Sequence, residues 1–159
     1  MTTLQNINAG DLPAIGHPLI GGTFFAKHFI GDQLFALAFL DKASEVSGEW
    51  GEYGELIEGA NSFIDGQANT DAMIAAGSPV ALKINRETGD YIPSYLEQSL
   101  LLAYHKENPG SDLTGWRWSS TQYSAYLACS VDFEDGWQGY DDKNLERPAR
   151  LVRRILIIE

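Results

Sequence analysis

From Trp116 to Arg154 the chain carries its most unusual pattern. It opens on Trp116-Arg-Trp-Ser-Ser-Thr-Gln-Tyr-Ser-Ala-Tyr126, passes through Val131-Asp-Phe-Glu-Asp-Gly136 and closes on Arg147-Pro-Ala-Arg-Leu-Val-Arg-Arg154. Rings and hydroxyls cluster at its start, Gly136 and Gly139 interrupt short alternating runs, and four arginines end it. The segment reads as short antiparallel strands joined by turns. Cys129 to Phe133 alternates apolar with polar, Glu134-Asp-Gly136 is a turn, and Trp137 to Asp141 returns as the partner strand. Leu151 to Ile158 is apolar and β-branched, which places it inside a sheet. Strand parity sends Tyr126, Ser130, Asp132, Glu134 and part of Trp137 to Asp142 outward.

With 159 residues the chain suits one domain, spanning 1–159. Its formal charge of −11 is unevenly spread. Residues 1–115 hold 5 basic and 15 acidic side chains, and residues 116–154 hold 6 of each. An acidic body repels phosphates, so direct nucleic-acid binding is not expected. Cys129 is the only cysteine, which excludes an internal disulfide and a Cys-rich metal site. Met1 to Gly10 lacks the basic start and apolar core of a signal peptide, and no apolar run reaches membrane-spanning length. The expected location is therefore the cytosol, with no membrane association. No oligomeric state can be read from the chain.

Upstream, residues 1–18 read as an irregular lead-in, because Leu12-Pro13 and His17-Pro18 disfavour helix before each proline. Gly21 to Ile30 and Gln33 to Leu40 are apolar runs around Gly31-Asp32, a hairpin spacing. His28 within it reads as a strand residue with one hydrogen bond. Glu45 to Glu58 places a glutamate at nearly every third position, but Gly48, Gly51 and Gly54 each cost a helix about 1 kcal/mol relative to Ala. An acidic loop carrying Trp50 and Tyr53 follows. Asn69 or Thr70 is the expected cap of a first helix running to Ala76, with Gly77 as its stop. Ser94-Tyr-Leu-Glu97 has the capping-box form for a second, with Leu96, Leu100 and Ala103 on its packing face and Leu101 and Tyr104 close to it.

No catalytic set emerges, so the chain is not expected to be an enzyme. Ser119, Ser120 and Thr121 lack a nucleophile elbow around them, and His17, His28 and His105 lack metal-pair spacing. Neither a metal nor any other cofactor is expected. Asp132, Glu134, Asp135, Asp141 and Asp142 are chemically suited to calcium but read as a solvated acidic turn. The arginines 147, 150, 153 and 154 read as scaffold, paired with acids and laid on rings.

Trp118-Ser-Ser-Thr-Gln-Tyr-Ser-Ala125, the Asp132-Phe-x-x-Gly136 step, Lys143 and Arg147-x-x-Arg-x-Val-Arg-Arg-Ile155 together resemble the Lcl C-terminal family. That family has the C-type-lectin-like fold and stands near the formylglycine-generating enzymes and the phage variable proteins diversified by retroelements. The likeness covers the last third of the chain, and extends loosely to Asp65-Gly-Gln-Ala-Asn-Thr70 and Ile92-Pro-Ser94. It implies an α+β fold: a lectin-like mixed sheet with two helices and a long irregular C-terminal half, with residues 116–158 as the binding segment. Formylglycine chemistry is not implied, because those enzymes use two cysteines. Calcium-lectin motifs such as Glu-Pro-Asn are missing as well.

Recognition is thus the expected role, with a protein or surface glycan as partner, in a phage or prophage setting. The diversified relatives vary where this chain has Tyr126, Leu127, Cys129, Ser130, Asp132, Glu134, Trp137, Gly139, Tyr140, Asp141 and Asn144. Tyrosine and tryptophan beside Ser, Asp and Gly give large contact area with adaptable hydrogen bonds. Two other roles stay open: a small acidic inhibitor of a host system acting through Glu45 to Glu58, and a virion structural or assembly module.

Overall fold

The apolar hairpin between Gly21 and Leu40 lies at the middle of the largest sheet. In the computed structural model, which describes residues 5–159, the first strands are β1 (Asn6–Asn8), β2 (Pro18–Leu19), β3 (Gly22–Ile30), β4 (Gln33–Phe39) and β5 (Val46–Glu49). Helices α1 (Gly66–Ala75) and α2 (Tyr95–Glu107) follow. The chain then forms β6 (Trp116–Gln122), β7 (Leu127–Asp132), β8 (Gln138–Asp142), β9 (Glu146–Ala149) and β10 (Val152–Ile158). The architecture is mixed α+β. Its sheets run β1-β10-β4-β3-β2, β5-β9 and β6-β7-β8. No helix among the described residues is long and apolar enough to cross a membrane.

The two-residue turn at Gly31-Asp32 closes β3 on β4, with Gly31 at φ 62° and Ile30 opposite Gln33. A bulge between Phe24 and Ala26 breaks the alternation of β3. Phe24 joins one apolar cluster with Ala36, Ala38 and Ile155, and past it the neighbours Phe25 and Ala26 both join another with Leu101, Leu113 and Val152, where unbroken alternation would have parted them. The expected closing strand is β10, antiparallel to β4 and parallel to β1, so both its edges are occupied.

Several expectations are corrected. The 1–18 lead-in is not wholly irregular, because Asn6–Asn8 pairs with β10 and Pro18–Leu19 with β3. Its first four residues lie outside the described ones. The C-terminal part is not a long irregular half: residues 116–158 carry five strands, and the long non-repetitive stretch is 50–65. Nor is Glu45 to Glu58 all loop. Val46–Glu49 pairs antiparallel with Glu146–Ala149, and the glycine at 48 suits this strand because a Cβ there would press on the Val80 backbone at 3.3 Å. Trp50 is fully buried, and its indole N–H donates to the Ser119 carbonyl at 2.8 Å.

Both helices also differ in detail. Helix α1 is capped by Asp65, whose side chain accepts from Ala68 N, four residues before the expected Asn69. Asn69 and Thr70 lie buried within the helix: Asn69 Nδ2 donates to the Ser62 carbonyl and Thr70 Oγ1 to Gly66 O. Helix α2 has the expected capping box at Ser94 and Glu97. Leu101 lies in the core, with Leu100 and Tyr104 packed partly buried against it, but Glu97, Gln98 and Leu102 complete the inward face, and Leu96 and Ala103 are exposed. The cap itself explains the rotation, since Glu97 must turn inward to reach buried donors.

The arginines act as scaffold. Arg147 lies over Trp116 and pairs with Asp141; Arg150 is fully buried between Glu45 and Asp112. Arg153 pairs with Asp90, and Arg154 pairs with Asp65 beneath the Phe35 ring. His28 is a buried strand residue whose Nε2–H donates to the Ile64 carbonyl at 2.7 Å.

Candidate recognition face

Strands β7 and β8 and the turns beside them hold the residues expected to recognise a partner, and they sort into two groups. Cys129, Ser130 and Asp132 are buried, which corrects the outward placement of Ser130 and Asp132 by parity. The reason is that β7 is the central strand of its sheet and is covered on both faces. Ala128 packs in a cluster with Trp118 and Trp50, and Val131 packs in another with Leu101 and Phe133. Ser130 Oγ donates to Asp141 at 2.7 Å, and Asp132 accepts from Glu134 N across the turn. Burial alone pushes the Cys129 thiol up to about 12.

The second group does face out. Tyr126, Glu134, Trp137, Tyr140 and Asn144 are exposed, and Leu127, Gly139 and Asp141 are partly so. Trp137 is 69% exposed beside the β7–β8 turn, where Gly136 at φ 81° donates to the Asp132 carbonyl. Asp141 carries Ser130 and sits 3.0 Å from Arg147 Nε, whose N–H is not aligned on it, so that contact is an ion pair only.

Tertiary structure adds rings that parity does not show. Tyr140 stacks on Tyr123, with centroids 3.9 Å apart and planes within 19°. Tyr126 meets Tyr53 from the loop after β5 at 5.0 Å. Tyr95, in the first turn of α2, packs on Phe63 at 5.2 Å. The four tyrosines 53, 123, 126 and 140 are each about half exposed. The Tyr140 hydroxyl is held above its ordinary pKa, first by desolvation and then by the neighbouring Tyr123, Cys129 and Tyr95. Tyr140 therefore stays a neutral donor and acceptor. Tyr53 was visible in the sequence only as part of an acidic loop, Tyr95 only as a helix residue and Tyr123 only as part of the Trp-Ser-Ser run; the usable signal was a ring beside a Gly, Ser or helix start.

Buried polar groups fix this face. Lys143, between β8 and β9, is fully buried and donates to the Glu55 carbonyl at 2.8 Å and to Gln122 Oε1 at 2.6 Å, 4.9 Å from the Trp50 ring. Gln122 in turn accepts from Ile57 N and donates to Ile57 O and Asn61. Backbone bonds from Trp50 N to Lys143 O and from Gly54 N to Ala125 O complete the tie. The loop bearing Tyr53 is thus lashed to the strands bearing Tyr126. Burial brings Lys143 down to about 8, partly opposed by Glu55. On the other flank, Ser99 Oγ donates to Gln138 Oε1 at 2.6 Å and holds β8 against α2.

The Trp-Ser-Ser-Thr hydroxyls are spent on backbone. Ser119 Oγ donates to Cys129 O, and Thr121 Oγ1 donates to Ser62 O and accepts from Tyr95 N. They serve the bend where the β6–β7 register shifts between Trp118 and Gln122. A cleft of about 630 Å³ lies elsewhere, lined by Gly16, Phe39, Asp41, Tyr104 and Asp112 among others, and shares no residue with the tyrosine face. No known protein-family model matches the chain, and no curated protein sequence matches it.

Proposed function

We propose that the protein is a non-catalytic recognition module of the C-type-lectin-like kind, binding a protein or surface glycan through the face that carries Tyr53, Tyr123, Tyr126 and Tyr140. The observation that carries this reading is the pairing of four half-exposed tyrosines on a platform of buried hydrogen bonds. Interfaces draw their energy from a few Tyr, Trp and Arg anchors, and rigid aromatic anchors lose little entropy on binding. The likeness of residues 118–155 to the Lcl C-terminal family supports the fold-level part of the proposal and its phage or prophage setting.

Mutation of the face tests it. Tyr126→Ala and Tyr140→Ala should melt close to the parent and lose binding to arrayed glycans or to purified host surface proteins. A second reading, the acidic inhibitor, is favoured by one observation: Glu52, Glu55 and Glu58 all lie exposed on the loop after β5. It is weakened by Glu45, which is already held by Arg117 and Arg150. If both tyrosine variants bind normally while Glu52→Lys with Glu55→Lys abolishes binding, the inhibitor reading replaces the first.

A further inference from the structure

The charge around the tyrosine face narrows what kind of partner it fits, and this inference rests on the recognition reading above. Every arginine in the chain, namely Arg86, Arg117, Arg147, Arg150, Arg153 and Arg154, already has a carboxylate as its salt-bridge partner. Lys143 is buried beneath the face, and Lys83 is bonded to the Ser47 carbonyl. Lys106 is bonded to the Glu134 carbonyl at the far hairpin turn. Lys27 and Lys42 are exposed but lie in β3 and just after β4, in or beside the five-stranded sheet, and among the described residues the exposed charges that neighbour the four tyrosines along the chain are acidic. Glu52 and Glu55 flank Tyr53 in its loop, and Asp142 lies two residues beyond Tyr140 on the same side of β8.

Such a face offers π-clouds and carboxylates together. Both attract cations: a Lys or Arg over a tyrosine ring gains quadrupole attraction, and complementary charge speeds and orients docking. A second copy of this chain would bring the same net charge of −11 to the contact, and a nucleic acid or an anionic membrane would be repelled likewise. We infer that the partner is a protein presenting a basic segment, its Lys or Arg side chains over the Tyr123–Tyr140 and Tyr53–Tyr126 pairs and against Glu52 and Asp142.

The test is an amide-resonance titration of the isotope-labelled protein with three probes: a short Lys/Arg-rich peptide, its Glu-rich counterpart and maltohexaose. The basic peptide should shift the Tyr53, Tyr123, Tyr126 and Tyr140 signals saturably. Tyr140→Ala should weaken it by about tenfold or more, as loss of one aromatic anchor does, and Glu87→Gln, at an exposed acid outside the face, should leave it unchanged. Shifts scattered over remote acidic loops, insensitive to Tyr140→Ala, would overturn the inference as mere charge attraction. Shifts at the tyrosines with maltohexaose or the acidic peptide but not the basic one would overturn it while leaving the recognition reading standing. Should no probe move those signals, the basic partner is rejected, and the recognition reading is judged by the binding of the tyrosine variants alone.

Discussion

Glu97 Oε1 accepts from Gly66 N at 2.9 Å and from Ser94 N at 3.0 Å, so one buried carboxylate closes the N-termini of both helices. Its other oxygen receives the Tyr91 hydroxyl at 2.8 Å. Unpaired donors of this kind cost about 1–3 kcal/mol each when buried. Glu97→Ala should therefore lose about 3 kcal/mol or more in chemical denaturation, and Glu97→Gln less, because an acceptor remains. Gly66→Ala is the companion probe. Helix propensity alone favours alanine by about 1 kcal/mol, yet a Cβ at Gly66 would stand 2.5 Å from Glu97 Oε1 and 2.6 Å from the Ile92 carbonyl oxygen. A destabilised Gly66→Ala variant is expected; a stabilised one would contradict this close packing.

Trp50 and Trp118 clamp β5 to β6 reciprocally. Trp50 donates to Ser119 O, and Trp118 donates to Gly48 O at 3.0 Å, with both rings fully buried. Trp118→Ala should cost about 3–5 kcal/mol. Trp118→Phe should cost less, since most of the apolar volume stays and one hydrogen bond goes. Equal melting of parent and Trp118→Ala would refute the placement of this ring at the centre of the core.

Cys129 should serve as a reporter of unfolding. Its thiol is buried, and burial lifts its pKa to about 12, so little thiolate exists in the native protein at neutral pH. Alkylation is expected to track the unfolded fraction through a denaturant titration. Rapid labelling of the native protein would show that the sheet opens locally at β7.

Lys143 makes stability depend on pH in a defined direction. Its pKa falls to about 8 in the fold against an ordinary 10.5, chiefly through desolvation. Between these values the unfolded chain binds more protons than the native one, so this residue's contribution rises with pH from about 8 to about 10.5 and is flat below. Comparing the parent with Lys143→Met isolates the effect, because Cys129 is common to both. The parent should gain on the variant across that window. A constant difference would mean that the carbonyl oxygens of Glu55 and Gln122 solvate the ammonium as well as water does.

What can be read in the chain alone is what a few neighbouring residues decide. Gly31-Asp32 and Gly136 mark their turns, Ser94 and Glu97 their capping box, and the β-branched run at 152–158 its strand, because turn geometry, capping and periodicity all act over short spans. The arginine pairs follow from composition, since buried guanidinium groups demand acids. Tertiary structure alone decided the rest. Parity says which residues share a side of a strand and not whether that side is covered; β7 lies between β6 and β8 with apolar clusters on both faces, so Cys129, Ser130 and Asp132 are interior. The same long-range packing turned Glu97, Gln122 and Lys143 into buried ties and brought Tyr53 to Tyr126 and Tyr123 to Tyr140. Polar residues look alike in sequence whether they meet water or a distant backbone group, and only the closed chain supplies that second partner.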